Sequence, residues 1–172
     1  MVQPLSEPQP SAGENEPLQP SLEPLGWALA AEFPGREADW AAHVSRALDR
    51  LEKGLRQHIA GAEAPDGLLT EVDLTRPTLV RRVSDLRREH SEFLDRVIAL
   101  RRRVQGAAQA FQSQAGAGQP TTLPSPAGPD AVADFGAIRR CGEQLVADLL
   151  HHKEAETDVT LESVSTDIGV GD

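Results

Sequence analysis

Residues 79–104 read LVRRVSDLRREHSEFLDRVIALRRRV. Apolar side chains recur at Leu79, Val83, Leu86, Phe93, Val97, Leu100 and Val104, in alternating steps of four and three. That is the period of a helix presenting one stripe to a partner helix, not the period of two that a strand would show. The stripe continues through Ala108 and Phe111. It ends where Gly116, Gly118 and the prolines at 120, 124, 126 and 129 make residues 115–129 a flexible linker. One member of the stripe is not apolar: His90 stands between Leu86 and Phe93.

The same reading extends in both directions. Upstream, Val44, Leu48, Leu51, Leu55, His58 and Ala62 form a second stripe, broken by Pro65-Asp66-Gly67. Downstream, Asp130 is a good N-cap for a third stripe. It runs Ala131, Phe135, Ile138, Gly142, Leu145, Leu149, His152, Glu156 and Val159. Residues 25–37 hold Trp27 and Leu29 ahead of the breaker Pro34-Gly35, enough for a short helical piece packed on the bundle. Trp27 and Trp40 are expected to cover its open side.

Residues 1–24 contain six prolines, four glutamates and no lysine or arginine, which predicts a disordered acidic tail. The expectation is therefore an all-α, up-down antiparallel bundle over residues 25–165. It has three long helices and a short N-terminal piece, and residues 166–172 form a C-terminal tail.

Composition narrows the function. The formal charge of −10 argues against nucleic acid as the main partner. The Arg101-Arg102-Arg103 run reads as a solvated helix face. No apolar stretch approaches the ~20 residues needed to span a bilayer, so no membrane partner is expected. One cysteine, Cys141, allows neither an internal disulfide nor a thiolate zinc site. Beside the stripe residue Gly142, it reads as a buried, inert thiol. With no signal peptide evident, the expectation is a cytoplasmic protein. The chain contains no nucleophile elbow, phosphate loop or nucleotide fingerprint, so turnover is not expected.

The stripes carry the chemistry. Each of the three long segments places one histidine where a core leucine belongs: His58, His90 and His152. Glu156 follows His152 by four residues, on the same helix face. A lone histidine in a seam is ordinarily a core residue donating to a neighbouring oxygen. Three of them with a carboxylate point to a metal ion held between helices. Their axial levels are testable. His90 and His152 each lie 22 residues from an inferred helix end, near 112 and 130, so they should meet. His58 joins them if residues 67–72 form a further helical piece. His43, 15 residues before His58 on one helix, is about 22 Å from it and is expected at the surface.

These segments resemble a known family. The stretches are His58-Ile59-Ala60-Gly61-Ala62-Glu63, then Leu86-Arg87-Arg88-Glu89-His90, then Leu149-Leu150-His151-His152-Lys153-Glu154-Ala155-Glu156. Over roughly residues 40–165 the chain is similar to the hemerythrin-like, HHE cation-binding bundles. That resemblance implies His-x-x-x-Glu pairs on the second and fourth helices and single histidines on the first and third. They would hold one or two non-haem irons for dioxygen binding or for sensing oxygen, iron or redox state. His152 with Glu156 matches the fourth-helix pair, His90 the third-helix histidine and His58 the second-helix histidine. Ala62 stands where the second carboxylate belongs. Glu63 comes one residue later, about 100° around the helix. No histidine precedes His43.

The resemblance thus implies a degenerate member with His58, His90, His152, Glu156 and Glu63 as metal ligands. His151 would stand on the rim. The site would take a single Fe or Zn, or a reduced di-iron centre. A di-iron oxidase or peroxidase is disfavoured by the carboxylate count. The competing reading is a metal-free helical module that works through a homodimer or protein partner on an incompletely covered face.

Overall fold

The computed structural model describes residues 18–32, 34–116 and 134–165. These residues form five α-helices, in order α1 Gln19–Ala30, α2 Glu37–Ala62, α3 Leu68–Thr75, α4 Val80–Gly116 and α5 Phe135–Ser165. A 3-10 turn at Pro77–Leu79 leads into α4. No strand occurs among the described residues.

Cross-helix pairs fix the directions. Arg101 pairs with Asp49 and His90 lies beside His58, so α4 runs antiparallel to α2. Arg82 with Glu162, Arg96 with Asp148 and Arg103 with Cys141 show α5 running back along α4. The expected up-down order of three long helices is present. The seams are where the four-three spacing put them: Leu48, Leu51, Leu55, Val83, Val97, Val104, Leu145 and Leu149 are all essentially inaccessible.

Two findings differ from the sequence reading. First, the N-terminal piece begins at Gln19, inside the stretch read as a disordered tail. Leu18, Leu22, Leu25 and Leu29 step four, three, four and are all buried against α2 and α5. Pro20 sits in the first helical turn, where no backbone N–H is required. Pro24 lies inside the helix, a fault of about 3 kcal/mol. Four buried leucines at ~1.5–3 kcal/mol each outweigh it. Residues 1–17, most of the 115–129 linker, Asp130, Ala131 and residues 166–172 lie outside the described residues.

Second, α5 starts at Phe135, with Asp134 accepting a hydrogen bond from the backbone N–H of Ala137 at 2.8 Å. Asp134 thus satisfies a free N–H of the first turn.

The α2–α3 connection decides the level of His58. α2 stops at Ala62, and α3 follows after Gly67 and packs on α2, α4 and α5. A Cβ at Gly67 would stand 2.6 Å from the carbonyl oxygen of Ala62, so only glycine allows this approach. α3 buries Leu69 and Val72 and fills the end of the bundle below α2.

The core divides in two. One apolar cluster joins α1, α2, the middle of α4 and the start of α5, ending at Leu55, Phe93 and Leu149. The other contains Ala62, Leu69, Val72, Leu79, Val83, Leu86 and Val159. Between them on every seam lies the same layer: His58, His90, His152 and Glu156.

Candidate metal centre

Each side chain of this layer is delivered by helical spacing alone. His58 follows Leu55 by three on α2, and His90 follows Leu86 by four on α4. His152 and Glu156 continue the α5 stripe past Leu149. His90 and His152 are 1% exposed and Glu156 is 8% exposed. His58 is at the edge, with its side chain 12% exposed. The rings pack edge to face, His58 to His90 at 5.2 Å between centroids and His90 to His152 at 4.8 Å.

All three imidazoles aim Nε2 at one atom. Glu156 Oε1 lies 3.0 Å from His58 Nε2, 3.2 Å from His90 Nε2 and 3.6 Å from His152 Nε2. One donor atom from each of the four residues lies within 4.8 Å of every other. A tetrahedral metal with arms of about 2.0–2.1 Å has ligand-to-ligand edges of roughly 3.3 Å. The three separations from Glu156 bracket that value.

The outer nitrogens are also assigned. His90 Nδ1 lies 2.7 Å from Glu63 Oε1, and His152 Nδ1 lies 2.7 Å from Glu89 Oε2. An ionised carboxylate only accepts, so the hydrogen of each ring is on Nδ1. In the neutral rings, Nε2 of His90 and of His152 therefore carries a lone pair, facing a carboxylate that is itself an acceptor. Lone pairs converging without a positive charge between them repel. Either protons or a cation must sit there.

His152 Nε2 is buried without a hydrogen-bond partner. A buried imidazole nitrogen without a hydrogen-bond partner, standing among three other potential ligands, is compatible with metal ligation.

The local field agrees in sign. Burial by itself would raise the Glu156 carboxyl. The surrounding imidazoles of His152, His58 and His90 reverse this and hold it far below the usual carboxylate range. Burial pushes the His152 ring down, but Glu156 and Glu89 on its two sides more than compensate, and its pKa is raised. The layer attracts positive charge and keeps its carboxylate ionised.

The expected ligands His58, His90, His152 and Glu156 are thus brought together. Glu63 is not in that group. It was expected as an extra ligand, but it caps α2 and reaches His90 from behind, at the nitrogen facing away from the cluster. The 100° offset from the Ala62 position is the reason. Its counterpart Glu89 is a role the seam pattern missed. It precedes His90 by one residue, which turns it toward α5.

His151 is 84% exposed and does not join the site. His43 is exposed, with Nδ1 2.7 Å from the Asp39 carbonyl. Cys141 is exposed, not buried, with an Arg103 guanidinium N–H donating to its Sγ at 3.1 Å. Gly142 takes the seam position against Leu29, which leaves Cys141 outside it. Trp40 is buried, but Trp27 is 74% exposed and covers little.

No described helix is long and apolar enough to cross a membrane. Comparison with known proteins finds no matching family model, no similar curated protein and no similar solved structure.

Proposed function

We propose that the protein binds a single transition-metal ion through His58, His90, His152 and Glu156, and that it acts by binding or sensing through that ion without turnover. The observation that carries this reading is the convergence of three Nε2 atoms on Glu156 Oε1, with His152 Nε2 buried and unpartnered. Three imidazoles and a carboxylate suit zinc or non-haem iron. No thiolate is near, so a sulfur-seeking ion is not favoured.

The nuclearity follows from the donors. Among the described residues, Glu156 is the only carboxylate in the converging group, and Glu63 and Glu89 are engaged behind the rings. A second iron would lack bridging groups, so one ion is proposed in preference to a di-iron centre. The hemerythrin-like resemblance supplies candidate signals: oxygen, iron or redox state.

A second reading has its own support. Leu74 and Val164 are 78% and 63% exposed, and Leu161 and Val80 are also open. Arg76 on the α3 side donates to the Ser163 carbonyl at 2.8 Å, which places these residues at one end of the bundle. A metal-free module would use such an end to hold a protein partner or a second copy.

Metal content separates the two. The full chain is grown with zinc or iron supplied, dialysed without chelator and analysed by mass spectrometry, alongside His152→Ala. Near-stoichiometric metal that disappears in the variant supports the centre. A chain that stays metal-free under both supplies leaves the interaction module.

A further inference from the structure

We infer that Glu63 and Glu89 are positioning residues that set the charge and donor strength of the centre, so that metal affinity depends on two carboxylates which never touch the ion. The inference rests on the metal-binding reading above and concerns what tunes that site.

The geometry is paired. His90 and His152, the two fully buried ligands, each have a carboxylate oxygen 2.7 Å from Nδ1. The two carboxylates come from different elements, Glu63 from the C-terminal cap of α2 and Glu89 from α4. Each accepts the Nδ1 hydrogen of a ring on a neighbouring helix. Two separate helices thus contribute the same device to two separate ligands. His58, the partly exposed ligand, stands at the solvent edge instead.

Three consequences follow. The acceptor at Nδ1 locks the tautomer that presents the Nε2 lone pair inward. It also holds the ring plane, which a buried imidazole between two apolar clusters would otherwise have to fix by packing alone. Finally, a carboxylate pulls on the N–H and makes Nε2 a stronger donor. With Glu156, the ionised forms bring three negative charges around three neutral rings. A divalent ion then leaves the centre at −1, favouring retention of a cation although Glu156 is the one carboxylate of the three that touches it.

The rival account is that Glu63 and Glu89 merely satisfy buried N–H groups of a metal-free core. That account makes them matter for folding and not for metal. Replacing each by glutamine separates the two, because the amide oxygen still accepts the Nδ1 hydrogen while the charge is lost. Both carboxylates are about a third exposed, so the exchange is sterically mild.

The experiment titrates the full-length chain with Zn²⁺ and with Co²⁺, for wild type, Glu63→Gln, Glu89→Gln and the double variant. Circular dichroism monitors folding, and the visible Co²⁺ spectrum reports on the donors. Each single variant is expected to bind about 10–100-fold more weakly, and the double variant more weakly again, with a shifted cobalt band and unchanged helix content. If the wild type binds both ions and the glutamine variants match it in affinity and spectrum, the inference is overturned while the metal site stands. If wild type binds neither ion, the metal-binding reading falls and the inference falls with it.

Discussion

His58 on α2 places its Nε2 3.0 Å from Glu156 Oε1 on α5, although 98 residues of chain separate them. Glu156 also lies 3.2 Å from His90 of α4, so three long helices meet at one carboxylate oxygen. Such a junction is held by charge. An ion bound there ties α2, α4 and α5 at the level where the two apolar clusters part.

That link predicts metal-dependent stability. A ligand that binds only the folded chain stabilises it by about 2.7 kcal/mol at a hundred times its dissociation constant. For a domain of this size the midpoint should rise by roughly 5–10 °C. Scanning calorimetry of the chain with excess Zn²⁺ and with chelator measures it. Equal melting temperatures in the two conditions would remove the proposed coupling.

Much of this was legible in the sequence. The four-three steps located three seams, and the positions in them that were not apolar turned out to be the members of the cluster. Other parts were not legible, for physical reasons. α1 was hidden because Pro20 and Pro24 lie within a stretch whose proline and acid content reads as disorder, while Leu18, Leu22, Leu25 and Leu29 carried the opposing signal.

The level of His90 with His152 was expected from equal distances to the linker. In fact α4 runs to Gly116 while α5 starts at Phe135, so one helix overshoots the other and the rings still meet. Glu63 and Glu89 were invisible as positioning groups because a seam pattern describes what faces inward, and they approach from the flanks.

Replacing the layer with leucine tests whether it exists for stability or for binding. Buried ionic groups exchanged for apolar ones of similar volume are often neutral or stabilising, by about 1–4 kcal/mol. The triple variant His90→Leu, His152→Leu, Glu156→Leu would merge the two apolar clusters. Glu63 and Glu89, already partly exposed, would turn to water. The expectation is a chain more resistant to urea than the metal-free wild type and unable to bind Zn²⁺. A drop of several kcal/mol in urea unfolding would mean that the polar layer specifies the fold.

The seat of α1 can be tested apart from the site. A Cβ on Gly142 would stand 2.7 and 2.8 Å from the two methyl carbons of Leu29. Gly142→Ala should therefore displace the buried Leu29 side chain and lower stability by about 1–2 kcal/mol, the overpacking cost outweighing the roughly 0.5–1 kcal/mol that alanine adds to the helix. His152 lies ten residues further along α5, about 15 Å away, so Co²⁺ affinity should change less than two-fold. Unaltered urea unfolding would show that Leu29 of α1 is not seated against Gly142.

The pH dependence has two signs that work against each other. Glu156 is held below its ordinary 4.5, so its contribution to the metal-free fold is present above that pH and is lost as pH falls. His152 is raised above 6.5, so its contribution is complete below 6.5 and is lost as pH rises through the folded-state value. The metal-free chain should therefore be most stable between about 4.5 and 6.5 and weaken toward pH 8.

Metal binding should run the other way on the alkaline side. The ion displaces the proton from His152, so affinity climbs as pH rises through the same interval and binding releases protons. Urea melts of chelator-treated protein from pH 4 to 8, with Zn²⁺ titrations at each pH, measure both curves. Metal-free stability that increases steadily from pH 6 to 8 would show that His152 carries no proton in the folded chain, and the field assigned to the layer would be wrong.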